Sequence, residues 1–422
     1  MLVYLTRKKI AIIGTGISGL GAAMLLHPYH DITIYEKNSY IGGHSRTVEV
    51  MTKNGPISVD TGFIVFNKIN YPLLTRLFEY LSVPVLKSNM SFSVSIDNGW
   101  LEYGTQNLYN IFTQKMNFFS PSFWKMLFDI LKFNAYAKQY LGKDPSFTLE
   151  NCLDNLKVGL WFRYYFLLAM GGAIWSVPLS EMLNFPACTF IRFFDNHGLL
   201  SVNDHLQWYT IKNGSNEYIK LIIDKFKERI RINHGVKQVW RDKDYVVIKD
   251  IHGNQENYHE VVFACHADHA LAMIENPSGE EKEILSAFRY QSNRVVLHDD
   301  LSFMPKRKKC WASWVYLSEN KNHSNPKVSV SYWMNNLQHL DTDQLLIVTL
   351  NPGHEPKNVY NDYIFEHPVF DAIAIKNQSK IENIQGRDRF WFCGAYQGYG
   401  FHEDGLCSAV KMAKHMGIES PW

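Results

Sequence analysis

The segment KIAIIGTGISGLGAAMLLHP, residues 9–28, restricts the fold more than any other part of the chain. Ile10 to Ile13 is an unbroken apolar run, as expected of a parallel strand buried on both faces. Gly14-Thr15-Gly16-Ile17-Ser18-Gly19 follows at once and opens an apolar helix, which has to stop before Pro28. The next strand, DITIYEK, reaches Glu36 about 17 residues after Gly19, close to the spacing a dinucleotide-binding unit requires. Each position has a physical task. Gly14 permits the tight turn, Gly16 lets a pyrophosphate approach the backbone, and Gly19 lets helix and strand pack closely. The free N–H groups around Ile17 and Ser18, with the helix dipole, face the phosphates. Glu36 accepts hydrogen bonds from a ribose diol, and its charge disfavours a 2′-phosphate; Lys37 follows it directly.

The remaining segments predict an α/β class, α+β overall. A Rossmann-like dinucleotide-binding domain (1–70, 206–275 and 380–422) interleaves with a substrate domain of mixed sheet and helices (71–205 and 276–379). YPLLTRLFEYLSV reads as helix, and SFSVSIDNGWLEYG alternates like a hairpin around Asn98-Gly99. With 43 basic and 41 acidic residues, the chain lacks the clustered basic face of a nucleic-acid binder. Six scattered cysteines without a C-x-x-C pair, and no secretory leader, predict a reduced, cytoplasmic setting. The longest uncharged run, between Arg163 and Glu181, is broken by glycines and Pro178 and is too short to span a bilayer.

Past Glu36, EKNSYIGGHSRT adds a second glycine pair, Gly42-Gly43, then His44, Arg46 and Thr47. A glycine pair just beyond the ribose acid is the pattern of FAD enzymes. VDTGFIVFN supplies Thr61 and a close-approach glycine, Gly62. With CGAYQGYGFHEDGL near the end, these motifs resemble the flavin-containing amine oxidase and phytoene desaturase superfamily. They most resemble a bacterial branch of predicted NAD/FAD-binding proteins, and are similar to the flavoprotein-like region of some plant cyclopropane-fatty-acid synthases.

The resemblance implies FAD as cofactor. It places Gly14, Gly16 and Gly19 at the pyrophosphate, Glu36 at the adenosine ribose, and Gly43 and Arg46 along the phosphates and ribityl chain. Val236 falls at the adenine edge, and Gly394, Gly405 and Leu406 at the ribityl chain and pyrimidine. Three positions depart from the family pattern. His44 stands where arginine is usual, Ala395 where an acid is usual, and Arg294 falls near the position of a lysine beside the flavin. Arginine is a poor proton relay because it stays charged.

His402, Arg294 and Tyr399 are the catalytic candidates; Asn67, Ser176, Asn335 and Tyr396 are further polar or aromatic residues inside the motifs. Cys265-His266-Ala267-Asp268-His269 looks like a metal cluster but offers too few ligands, so no metal is expected. No second G-x-G-x-x-G appears, which points to electrons arriving from an organic substrate. Residues 108–141 hold ten aromatics, four lysines and one aspartate. They read either as a buried helix of the substrate domain or as a membrane-surface face or the mouth of a lipid tunnel, where lysines meet anionic head groups. Of Trp175, Trp311, Trp314 and Trp333, most belong to the core and one or two to a substrate wall. Three functions fit: an oxidoreductase acting on a small apolar or fatty-acyl substrate, a double-bond isomerase without net oxidation, or a non-catalytic FAD-binding partner of a lipid-modifying enzyme. The oligomeric state is left open.

Overall fold

The computed structural model describes residues 6–175, 179–201, 206–321 and 328–422; Ser176 lies outside them. The opening strand, Lys9–Ile13, is the centre of a five-stranded parallel sheet. Asp31–Tyr35 and Glu260–Phe263 flank it, and Ile230–Arg231 and Phe390–Phe392 form the edges. Ile10, Ala11 and Ile12 are fully buried because both faces of this sheet are covered. On one face the helix Ile17–Leu26 packs with the C-terminal helix His402–His415. On the other lie the helix Ala267–Met273 and a three-stranded sheet within 236–258.

A seven-stranded sheet forms the second layer. Its order is Val359–Val369, Arg289–His298, Ile347–Leu350, Val328–Trp333, Trp314–Ser318, Phe92–Ile96, Leu101–Gly104. All pairings are antiparallel except that of Trp314–Ser318 with Phe92–Ile96. That parallel pairing joins the 71–205 and 276–379 stretches in one sheet. The hairpin at its edge turns at Asp97, Asn98 and Gly99, with φ of 47°, 53° and 88°, as its Asn-Gly requires. The helices Pro121–Tyr136, Leu149–Asn155, Leu168–Trp175 and Ala187–Asn196 share its core.

One expectation shifts in detail. The strand Trp208–Ile211, expected with the dinucleotide-binding part, pairs with both Val65–Asn67 and Val85–Ser88, from either side of the boundary at 70. The last helix runs His402–His415. Buried Asp60 ties distant stretches together. It accepts hydrogen bonds from Thr47 Oγ1 (2.6 Å), Ser215 N (2.9 Å) and Gln338 Nε2 (2.9 Å). All six cysteines are free. Among the described residues, no helix is long and apolar enough to cross a membrane.

Candidate cofactor and substrate cavity

One cavity of about 1370 Å³ runs between the two layers. It exceeds the roughly 300–1,000 Å³ of an ordinary small-molecule site, which leaves room for a dinucleotide and a second molecule. Gly14, Gly16, Ile17, Ser18, Glu36, Lys37 and Val236 line one end. Gly14 has φ +107°, and a Cβ there would lie 2.6 Å from Ala264 O, so only glycine makes this turn. Gly19 is not in the wall. Its Cβ would lie 2.0 Å from Gly14 O, which locks the helix against the turn. At Gly16 a Cβ would meet nothing within 4 Å, so this backbone is open to a ligand. The helix begins without a side-chain cap, and its first N–H groups are left for an anion.

Glu36 is buried and its lone pairs are already engaged. It accepts hydrogen bonds from Thr15 N (3.1 Å), Thr15 Oγ1, Asn38 N (2.8 Å) and Asn38 Nδ2 (2.9 Å). A ribose diol therefore has to share these lone pairs or displace a donor.

Gly43, His44, Thr61, Gly62, Gly394 and Ala395 line the middle of the cavity. A Cβ on Gly62 would lie 2.0 Å from His44 O, the close approach expected of it. The histidines here stay neutral. Burial pushes His44 down to about 4, His367 to about 3 and His402 to about 3. His44 stacks on Phe365 at 4.6 Å, and its Nε2 is buried without a hydrogen-bond partner. His402 stacks on Phe63 at 3.8 Å and shares a 2.8 Å hydrogen bond with Ser45 Oγ, which in turn bonds Tyr218 OH. A group held so far below neutrality is a weak base, so His402 serves better as an oriented hydrogen-bonding group.

Several candidates stand elsewhere. Arg294 is a correction. Its guanidinium bonds Glu355 at 2.6 Å and Asp362 at 2.7 Å, and it is absent from the cavity wall. Its neighbour Val295 lines the wall instead, because alternate side chains of a strand point to opposite faces. Arg46 is also a correction. It bonds Asn361 Oδ1 at 2.6 Å and lies 4.5 Å from the centre of the Tyr363 ring, behind that wall residue. Tyr399 packs near Phe193 and is outside the wall, as are Gly42, Gly405 and Leu406. Gly42 has φ +127° and backs onto Ser45, while Gly405 passes against Ile17 and Ser18 of the first helix.

Tyr396 lines the cavity. Asn67 caps a turn by accepting from Asn70 N at 2.8 Å. Asn335 bonds Gln344 O at 2.8 Å and Leu346 N at 2.8 Å, away from the cavity. Trp314 lines the wall, Trp175 is core, and Trp311 packs on Trp333 at 5.3 Å. Both acids of the C-terminal motif turn away from the cavity. Glu403 accepts from Leu73 N and Leu74 N, each at 2.9 Å, and Asp404 from Phe401 N at 2.9 Å.

The sequence reading missed two groups. The far end of the cavity is apolar, with Leu127 from the helix Pro121–Tyr136 meeting Phe166, Met170 and Ile174 from the helical run 163–175. Glu366 adds a third donor to His266 and His269, lying 3.6 Å from Nδ1 of the first and Nε2 of the second. The three donor atoms lie within 4.8 Å of one another and could hold a metal ion. The expectation of no metal rested on counting ligands in one segment, whereas Glu366 arrives on a distant strand.

Residues 12–81 match the family model for an NAD(P)-binding Rossmann-like domain. No curated protein matches the chain by sequence. Several solved structures match over nearly the whole length. A fatty acid isomerase from P. acnes that produces CLA has a TM-score of 0.70 and 14% identity, covering 97% of this chain and 98% of its own. Cyclohexylamine oxidase from Brevibacterium oxydans IH-35A has a TM-score of 0.70 and 14% identity, covering 98% and 100%. A protein described as a putative protoporphyrinogen oxidase, from Exiguobacterium sp. 255-15, has a TM-score of 0.62 and 13% identity, covering 97% and 99%. The chain thus shares the α/β fold of these proteins and opens with a Rossmann-like dinucleotide-binding segment.

Proposed function

We propose that the chain is an FAD-dependent oxidoreductase that takes hydride from an apolar substrate, a fatty-acyl chain or related lipid. One observation carries this reading: a single cavity joins a dinucleotide end at Gly14–Ser18 and Glu36 to an apolar end at Leu127, Phe166 and Met170. The residues present fit FAD. Gly16 leaves its backbone open, the first helix is uncapped, and His44 offers a buried nitrogen without a partner. When bound, FAD supplies the hydride-accepting chemistry.

The chain's own residues supply position and field. The C-terminal helix brings its N-terminus to the wall at Phe401 and His402, where its dipole would favour negative charge on a group held there. Glu403 and Asp404 keep their charges off that wall by capping other backbone N–H groups. Neutral His402, held by Ser45 and Phe63, orients a hydrogen bond without adding charge. The apolar side chains at the far end would disfavour water beside a bound substrate. With Arg294 committed to Glu355 and Asp362, no step needs it.

Anaerobic bleaching of the bound flavin against a panel of fatty acids and amines tests this reading. Bleaching by an apolar chain is the expected result; bleaching by amines alone overturns the choice of substrate. A second reading, double-bond isomerisation, draws on the fold shared with the fatty acid isomerase. It predicts a rearranged product of unchanged mass with no electron acceptor consumed. Bleaching by any lipid without a partner protein excludes a purely non-catalytic role.

A further inference from the structure

We propose that the face built by residues 108–136 docks on an anionic lipid bilayer, and that the cavity receives its ligand from that bilayer. The helix Pro121–Tyr136 is apolar on two sides. Phe123, Met126 and Phe133 are buried in the core, while Phe128, Leu131 and Tyr136 on the opposite side are 64%, 55% and 56% exposed. The preceding segment adds Tyr109 and Phe119, 90% and 75% exposed. Exposed apolar surface concentrated in one segment marks an interaction site.

Charge selects the occupant. Between 108 and 143 the chain has lysines at 115, 125, 132, 138 and 143, and Asp129 as its one acid. Asp129 is buried, bonded to Lys125 and to Gly159 N, and adds no negative charge to the exposed side. Lys138 pairs with Asp195. Among the described residues, Lys115 and Lys132 have no carboxylate partner, which suits anionic head groups beside embedded aromatics. The same segment walls the cavity. Leu108, Ile111, Leu127, Ile130 and Leu131 line it, and Leu108 and Leu131 are also exposed, so the mouth opens within the patch. A protein partner seated there would cover the mouth; a bilayer would place acyl chains against it.

The docking face stands on surface residues alone; delivery of ligand rests on the apolar-substrate reading above. Co-sedimentation of the full chain with phosphatidylglycerol–phosphatidylcholine vesicles, and with phosphatidylcholine alone, separates the two. The chain is expected to sediment with the anionic vesicles, and roughly tenfold less with neutral ones or in about 0.5 M salt. F119S/F128S and K115E/K132E are each expected to lower binding about tenfold with melting temperature and flavin content unchanged. Equal binding by these variants, or a wild-type chain that stays in the supernatant with both vesicles, overturns the proposal. So does a dimer in solution that F119S/F128S disperses, because the face then serves a second copy. Flavin bleaching by a detergent-dispersed fatty acid is independent of docking, so its failure would count against the substrate and leave the face intact.

Discussion

Gly16 and Gly19 stand one helical turn apart and tolerate side chains differently. At Gly19 a Cβ would strike Gly14 O at 2.0 Å, so G19A is expected to prevent folding or to lower stability by several kcal/mol, on the order of 3. At Gly16 a Cβ meets nothing and φ is −65°, so G16V keeps the fold but fills the space a pyrophosphate needs. Thermal melts with and without added FAD check both. The expected result is a near-normal G16V melt that FAD no longer raises. The glycine motif was legible because its constraints are local: strand, turn and helix adjoin in the chain. Arg294 was misplaced because a strand alternates its faces, and an offset of one residue exchanges the cavity for the outer ion pairs. R294A is accordingly expected to leave flavin content and turnover within about twofold of wild type, read by absorbance and by steady-state assay.

At the scale of elements, the two ends of the chain meet through caps. Glu403, in the first turn of the last helix, accepts the N–H groups of Leu73 and Leu74 at the start of the helix Pro72–Tyr80. E403A leaves those donors unpaired and is expected to cost about 1–2 kcal/mol, measured by denaturant unfolding, with the absorbance of bound flavin retained. The hairpin at Asn98-Gly99 and the helix stop before Pro28 could be read from turn chemistry alone. The seven-stranded sheet could not, because its one parallel pairing joins Phe92–Ile96 to Trp314–Ser318. Pairing over so many residues leaves no local trace. The donor trio of His266, His269 and Glu366 was hidden for the same reason.

At the scale of the whole molecule, burial sets the response to pH. His44, His367 and His402 lie well below their ordinary value of 6.5, at about 4, 3 and 3, and burial holds His197 and His298 at about 4 as well. In each case the unfolded chain binds the proton first. The stability linked to neutrality is complete above about 6.5 and is lost as pH falls from there toward about 3. Asp60 and Asp404 oppose this trend. Burial raises each to about 6, so their contribution is greatest in acid and is lost as pH rises through that value. The histidines are more numerous and together shift further. The melting temperature is therefore expected to fall between about pH 7.5 and 5.5, and a rise would contradict these burials.

The dinucleotide end and the apolar end of one cavity together define the account, and the identity of the bound dinucleotide tests it most directly. The protein should be purified without added cofactor, denatured, and the released small molecule weighed. The account predicts FAD, close to one per chain, with the yellow colour lost on release. A colourless protein that takes up no FAD, or one that releases NAD instead, would contradict it.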